Sequence, residues 1–180
     1  MLNFAFRLRD SLENAGRFIL PSVARLVFGG VLLMYFWSSA MTKLGDGALG
    51  FLFPSSGAYA QMFPKTFEAV GYDTSQLSVV HWAIAVAGMW AEFVLPLLVV
   101  LGLFTRLASI GMIGFIVVQS VVDITGHMAD AATIGGWFDK TSSALILDQR
   151  ALWIVLLLVL VFKGPGPVAI DRVFGVGAKP

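Results

Sequence analysis

The sequence contains no cysteine and few charged residues for its length. Without a thiol, the chain can form no disulfide, no thiolate metal site and no iron–sulfur cluster. Charged residues make up 13% of the 180 residues, against roughly 25% in ordinary soluble proteins. Hydrophobic residues make up 58%, which is more apolar surface than a core of this size can hide from water. A soluble enzyme is therefore excluded, and lipid is the expected surrounding.

The charges that are present nearly cancel, and no nucleotide or hydrolase motif accompanies them. Twelve Lys and Arg oppose eleven Asp and Glu, for a net charge of +1, so bulk charge does not support a nucleic-acid partner. The chain has no haem attachment motif and no serine hydrolase constellation. The glycines at 45–50 lack the flanking strand and helix that a phosphate-binding loop requires.

Long uncharged stretches predict four membrane-spanning helices. A bilayer core about 30 Å thick is crossed by roughly 20 helical residues. The stretches are too continuous for strands, which would alternate in a membrane barrel. The predicted spans are residues 22–43, 80–103, 106–127 and 145–163. The predicted fold class is an all-α integral membrane four-helix bundle, with one four-span membrane domain at residues 21–180.

The segments outside the spans are also amphipathic. Residues 1–20 are expected to form an N-terminal interfacial helix, because Phe4, Leu8 and Leu12 share a face while the charges lie elsewhere. A frayed polar terminus is the alternative. The long outer loop between spans one and two is rich in aromatic residues, which favours a short surface helix near residues 58–70.

The placement of basic residues predicts that both termini are cytoplasmic. With the N-terminus inside, eight Arg and Lys lie on the cytoplasmic side and four lie outside, as the positive-inside rule requires. The cytoplasmic set is Arg7, Arg9, Arg17, Arg25, Arg106, Lys163, Arg172 and Lys179, and the outer set is Lys43, Lys65, Lys140 and Arg150.

Glu92 is the most informative polar residue, because it lies near the middle of span two. A charged group at that depth costs at least about 2.5–3.5 kcal/mol by insertion scales, so it is expected to be paired, protonated or facing a wet cavity. His81 lies three turns away on the same face. Glu92 is therefore a candidate for proton handling, and the alternative is a structural charge pair with Arg25 or Arg106.

A second set of polar residues is expected in the outer half of the bundle. Span three carries Gln119, Asp123 and His127 at helical spacing on one stripe. The predicted cluster comprises Lys43, His81, Asp123, His127, Asp148 and Arg150. A quinone headgroup site or a proton relay fits such a cluster, with the rings of Trp37, Trp82, Trp90 and Trp153 as candidate walls. Tryptophans near span ends also occur simply as interfacial anchors.

Two further patterns in the spans bear on metal binding and on helix packing. Asp123 and His127 have a spacing that permits metal ligation on a helix, but the pattern lacks the repeated ligand spacing of metal sites, so no metal is assigned. Ala83, Ala87 and Ala91 repeat a small residue at every fourth position. This repeat favours close packing inside the bundle over a dimer face.

The chain resembles the DoxX family of small four-span bacterial membrane proteins, which are related to the DoxD subunit of thiosulfate:quinone oxidoreductase. The resemblance extends from about Arg25 to Asp171. It rests on Arg25 with Lys43 in MTKLGDG, on Glu92 and Arg106 in WAEFVLPLLVVLGLFTRLAS, and on the ending GPGPVAID. The resemblance implies a bacterial inner-membrane location. It also implies a role beside sulfur-compound oxidation with electrons passed to quinone, or in redox-stress or metal-handling complexes.

Three hypotheses follow. In the first, the chain is a redox-associated subunit with no intrinsic cofactor, in which Glu92, His81 and Asp123 handle protons. Its quinone-type pocket would comprise Lys43, His81, His127, Trp82 and Arg150, and a protein partner or a second copy of the chain would complete the complex. In the second, the chain is a structural or assembly subunit without chemistry of its own. In the third, which has less support, it is a small transporter or metal-handling protein.

Overall fold

The computed structural model describes residues 2–175, and within that range the protein is entirely helical. The first six α-helices are Leu2–Phe28 (α1), Met34–Lys43 (α2), Ser56–Met62 (α3), Pro64–Ala69 (α4), Val79–Leu101 (α5) and Thr105–Thr125 (α6). They are followed by Ala131–Ile134 (α7), Arg150–Lys163 (α8) and Ile170–Val173 (α9). A π-helical segment, Gly29–Leu33, leads into α2, and another, Leu145–Gln149, leads into α8. A 3₁₀ turn covers Thr74–Gln76.

Four helical stretches are long and apolar enough to cross a membrane, which confirms the prediction of four spans. They are Phe4–Lys43, Val79–Leu101, Thr105–Thr125 and Leu145–Lys163. The first stretch is continuous from α1 through the π segment to α2. At 1.5 Å per residue its 40 residues measure about 60 Å, roughly twice the bilayer core. The helix expected at residues 1–20 leads into the first span without a break, and Met1 lies outside the described residues.

The spans form a ring of four. Helix α5 packs on α2 and α6, while α8 packs on α1 and α6. The short turn after Leu101 makes α5 and α6 an antiparallel hairpin, and Gly102 at its start has a φ of +68°, which glycine adopts without strain. Large apolar side chains fill the centre of the ring: Phe28, Leu32, Phe36, Val99, Met112, Ile116, Leu157 and Leu160.

One end of the bundle, here called the tail end, is held together by Arg25. The tail end is where the start of the first span meets the α5–α6 turn and residues 164–175. The guanidinium of Arg25 donates hydrogen bonds to four backbone carbonyls, two on α5 and two in the chain that follows α8. These carbonyls belong to Val99, Val100, Pro165 and Val168. One side chain therefore joins three separate parts of the sequence.

Asp171 also helps to hold the tail end together. Its carboxylate accepts hydrogen bonds from the backbone N–H of Phe104 at 2.7 Å, the backbone N–H of Thr105 at 2.9 Å and the Thr105 hydroxyl at 2.7 Å. These donors lie at the N-terminus of α6, where backbone N–H groups have no partner inside the helix. Asp171 thus caps a helix that begins 66 residues earlier in the chain.

Replacing Asp171 by Ala is expected to lower the free energy of unfolding by about 1–3 kcal/mol, because buried N–H donors would lose their acceptor. The measurement is SDS-driven unfolding in mixed micelles, followed by circular dichroism. Asp46→Ala, at an exposed aspartate, is the control. Equal stability of the two variants would contradict the capping role.

The opposite end, here called the cap end, is covered by residues 44–78. The break between α3 and α4 occurs at Phe63, because the following proline disfavours helical backbone in the residue before it. Ala58, Tyr59 and Phe67 pack against α5, and this burial raises the pKa of the Tyr59 hydroxyl. The segment thus lies on the bundle as two short helices, where the sequence favoured one.

Candidate functional site

A buried ion pair joins the first and second spans. The Nζ atom of Lys43 lies 2.9 Å from Oε2 of Glu92 and 3.1 Å from Oε1. Only 3% of Lys43 and 2% of Glu92 is exposed. Lys43 is the last residue of α2, and Glu92 lies near the middle of α5. The pair therefore forms because α2 and α5 pack side by side with these positions facing each other.

Ser39, one helical turn before Lys43 in α2, forms hydrogen bonds with both members of the ion pair. Lys43 Nζ donates to the Ser39 hydroxyl oxygen at 2.8 Å and to the Ser39 backbone carbonyl at 3.2 Å. The Ser39 hydroxyl in turn donates to Oε1 of Glu92 at 3.2 Å. The spacing of four residues puts Ser39 and Lys43 on one helical face. Burial of two charges costs several kcal/mol per ion unless they are paired and hydrogen-bonded, and these contacts offset part of that cost.

The ion pair lies at the wall of a cavity of about 520 Å³. The cavity lies between α5 and α6 and reaches up to α3 and Phe63. Its apolar lining comprises Met62, Phe63, Ile84, Ala87, Gly88, Ala91, Leu95, Gly111, Gly114, Phe115, Val118 and Val122. Its polar lining comprises Ser39, Lys43, Gln61, Glu92, Gln119, Asp123 and His127.

The cavity has a side that faces the lipid. Ile84 on α5 and Val118 on α6 line it and are exposed at 48% and 63%. Between them, small residues leave a gap, since a Cβ added to Gly114 would have no atom within 4 Å. The volume falls in the range of about 300–1,000 Å³ found for small-molecule sites. An amphiphilic molecule could therefore enter sideways from the bilayer and reach the polar groups.

A second ion pair supports the polar side of the cavity on α6. Arg150, which is 2% exposed, donates from Nη2 to Oδ2 of Asp123 at 2.6 Å and from Nη1 to the Ser120 hydroxyl at 3.0 Å. The Asp123 side chain is 27% exposed and lines the cavity. Arg150 begins α8, so this contact also ties the third span to the fourth.

His127 connects the end of the third span to the cap end. Its Nε2 lies 3.0 Å from the backbone carbonyl oxygen of Gln61. A carbonyl oxygen can only accept, so Nε2 carries the hydrogen. The imidazole therefore helps to close the cavity beneath α3.

The structure brings together some of the predicted site residues and separates others. Lys43, Glu92, Asp123 and His127 line one cavity, and Arg150 contacts it through Asp123. His81 does not line it; its ring packs on Phe63 with centroids 4.9 Å apart, and its Nδ1 lies 2.8 Å from the Ser78 hydroxyl. The side chains of the predicted tryptophan walls are engaged elsewhere. Trp37 donates to the carbonyl of Phe93, Trp82 to that of Leu52 and Trp90 to that of Phe51, while Trp153 lies in the central core.

The ion-pair partner of Glu92 is Lys43, whereas the sequence favoured Arg25 or Arg106. Arg25 bonds backbone carbonyls at the tail end, and Arg106 is exposed at the start of α6. The physical reason is the distance along the bundle axis between Glu92 and the two arginines. Glu92 lies more than two helical turns from Leu101, the end of α5 at which both arginines are placed.

Sequence reasoning did not assign Ser39, Gln119 or the small residues on α5 and α6 to the site. Ser39 and Gln119 each lie four residues from an assigned residue, Lys43 and Asp123, and this spacing was the available signal. The sequence pattern of the repeat containing Ala87 and Ala91 favours close helix packing. In the structure these alanines, with Gly88, border the cavity instead. Among residues 2–175, no group of three or more metal-ligating side chains is placed to hold a metal ion.

Comparison with known protein families matches residues 20–128 to the family described as DoxX. The match covers more than half of the chain and runs from the first span to the end of the third. It includes Lys43, Glu92 and the polar stripe of α6, but not Arg150 or Asp171. Neither the curated proteins nor the solved structures include a match to this chain.

Proposed function

Because this chain belongs to the DoxX family of membrane proteins, we propose that it is an inner-membrane subunit of a redox process and binds a quinone-type headgroup. The cavity between α5 and α6 is the observation that carries the proposal. A lipid-soluble quinone needs flat apolar walls for its ring, polar groups for its oxygens and a lateral entrance for its tail. The rings of Phe63 and Phe115, the groups around Glu92 and Gln119, and the gap at Gly114 supply these features.

The proposal includes a protein partner. The chain has no cysteine and no haem attachment motif, so within this proposal its own residues bind the headgroup and hold protons while a partner supplies the electron carrier. Within the proposal, the carboxylates that accept protons are those of Glu92 and Asp123, since both residues line the cavity. The chain is proposed to lie with its tail end in the cytoplasm, because that end carries most of the Arg and Lys in residues 2–175.

A structural role is the second candidate, and the internal pairing of the buried charges favours it. Lys43 pairs with Glu92, and Arg150 pairs with Asp123. Such pairs can specify how helices associate without any chemistry. In that case, the protein would assemble into a larger membrane complex and bind no quinone. The two candidates therefore differ in one measurable property, the affinity for a quinone-type ligand.

The test is binding of decylubiquinone and decylubiquinol to the protein in lipid nanodiscs, measured by isothermal titration calorimetry against empty nanodiscs. Gly114→Leu is expected to reduce the affinity at least about tenfold, because a leucine side chain there would fill the gap that its missing Cβ leaves open. Its stability should not fall, since leucine favours a helix more than glycine does.

Gly30→Leu is the matched control. Gly30 is also a helical glycine of a membrane span whose added Cβ has no atom within 4 Å, and it does not line the cavity. It should bind as the unmodified chain does. If neither ligand binds above the level of empty nanodiscs, the quinone role is wrong and the structural role is favoured.

A further inference from the structure

Glu92 is almost completely shielded from water. Only 2% of the residue is exposed, although the proposed function requires its carboxylate to accept protons. Its Oε1 atom is hydrogen-bonded to the Lys43 ammonium at 3.1 Å and to the Ser39 hydroxyl at 3.2 Å. Lys43 is itself buried, at 3% exposed, whereas Ser39 is half-buried. Of these two partners, Ser39 is therefore the one that also lies at the surface of the bundle.

A second opening, here called the hydroxyl groove, reaches Ser39 along the first span. It has a volume of about 690 Å³, and it is lined by Met34, Tyr35, Ser38, Ser39, Thr42 and Gln61. Four of these six side chains carry a hydroxyl and one carries an amide. The lining is therefore mainly polar, whereas the lining of the cavity between α5 and α6 is mainly apolar.

The hydroxyl groove exists because the first span changes neighbours along its length. The earlier part, α1, packs on α8, whereas the later part, α2, packs on α5 and α3. Trp153 of α8 still contacts Tyr35, with ring centroids 5.3 Å apart. Beyond Tyr35 toward the cap end, Ser38 and Thr42 are exposed. The groove thus opens beside α3, on a stretch of α2 that no other span covers fully.

The lining of the hydroxyl groove favours water over a lipid tail. In hydrocarbon, a hydroxyl or amide that lacks a hydrogen-bond partner is strongly destabilised. A water molecule is stable where it has about two to four polar partners and room for roughly 30 Å³. The groove offers both, since its hydroxyls follow one another along α2 and its volume exceeds that of several water molecules.

We infer that the hydroxyl groove is a water-filled proton entrance to Glu92, separate from the lateral entrance for the quinone-type ligand. A hydroxyl oxygen has two lone pairs. At Ser39, one accepts from Lys43, and the second takes a proton from a hydronium ion in the groove while the hydroxyl hydrogen moves to Oε1 of Glu92.

The transfer leaves Ser39 unchanged, converts the hydronium ion to water and makes Glu92 a neutral acid. Lys43 keeps its proton, and no electron moves. This inference rests on the proposed function and adds the route by which the proton arrives. It assigns Ser39 a part in proton transfer, in addition to its contacts within the ion pair.

The first test uses the absence of cysteine, which makes any introduced thiol the only one in the chain. Ser38→Cys places a thiol in the hydroxyl groove. Met41→Cys is the matched control, since Met41 lies one turn nearer to the end of α2, is 59% exposed and lines neither opening. The probe is a membrane-impermeant trimethylammonium methanethiosulfonate, applied to the protein in lipid nanodiscs.

Ser38→Cys is expected to react at least about tenfold faster than Met41→Cys, because the thiolate is the reactive form and a thiol in lipid does not ionise. Equal rates would show that lipid fills the groove and would overturn the inference. The proposed function would then still stand or fall by the separate measurement of decylubiquinone binding, which depends on the cavity between α5 and α6.

The second test follows the proton itself. In Lys43→Met, at a pH at which Glu92 is protonated, the carbonyl stretch of the acid is followed by time-resolved infrared spectroscopy after transfer from H₂O to D₂O. The band is assigned by its absence when Glu92→Leu is added. Adding Ser39→Ala instead is expected to slow the exchange at least about tenfold, because the relaying hydroxyl is lost.

Ser109→Ala, in the same Lys43→Met background, is the matched control. Ser109 is a fully buried serine of α6 that lines neither opening, so the exchange rate should not change. An exchange rate that Ser39→Ala leaves unaltered would overturn the transfer through Ser39. The thiol reaction does not require Lys43→Met, so the groove is tested independently of that variant's stability.

Discussion

Lys43→Met is expected to lower the free energy of unfolding by about 3–5 kcal/mol, because it leaves the Glu92 carboxylate buried without a counter-charge. Glu92 is only 2% exposed, and within residues 2–175 Lys43 is the one cation that forms a salt bridge with it. Without Lys43, Glu92 must either protonate or draw water into the bundle. The measurement is SDS-driven unfolding in mixed micelles, followed by circular dichroism, with the unmodified protein alongside.

Two further variants make the interpretation of Lys43→Met specific. The double variant Lys43→Met with Glu92→Leu removes both charges and is expected to recover most of the lost stability, since well-packed apolar residues can replace a buried pair. Lys65→Met changes a lysine that is exposed at the cap end and should have little effect. A double variant as unstable as the single one would show that the pair itself, rather than the stranded carboxylate, determines the loss.

Arg25→Met is expected to lower the free energy of unfolding by about 3 kcal/mol or more, the value of two charge-assisted hydrogen bonds. Four carbonyls, on α5 and in the chain after α8, would lose the hydrogen bond that Arg25 donates to them. Arg25→Lys keeps the charge but not the planar fork that reaches several acceptors together. Its stability should therefore lie between those of Arg25→Met and the unmodified protein in the same unfolding assay.

Arg106→Met is the matched control for Arg25→Met. Both arginines belong to the quoted family resemblance and lie at the tail end, but Arg106 is exposed, and surface substitutions usually change stability by no more than about 0.5 kcal/mol. Equal losses for the two variants would contradict the assignment of the tail-end contacts to Arg25.

Much of the fold could be predicted from local sequence. The uncharged stretches after Arg25, Asp73, Arg106 and Arg150 correspond to the four membrane-crossing helices. The bilayer makes this possible, because it requires about 20 apolar residues in a row and a backbone whose hydrogen bonds close within the helix. For residues 2–20, the amphipathic pattern predicts a helix that leads into the first span, and the structure has a helix that is continuous with that span.

The candidate site could be predicted in part, since polar residues in apolar helices are few. Glu92, Lys43, Asp123 and His127 were identified by their position and line the cavity. His81 and Trp82 were identified on the same grounds, and they lie outside it. Depth along a helix can be counted in residues, but the direction in which a side chain points within the bundle cannot, because it depends on how each helix is rotated against its neighbours.

The sequence by itself determined that this protein is a four-span helical membrane protein with a buried carboxylate in its second span. Only the tertiary structure decided that Lys43 is the partner of Glu92, that Arg25 holds the tail end, and that the small residues of α5 and α6 border a cavity. The spans can be identified from the sequence because the free energy of transferring a helix into lipid is a sum over the residues of that one segment. Partners and cavities follow from contacts between helices distant in sequence, and these exist only when the four helices are packed together.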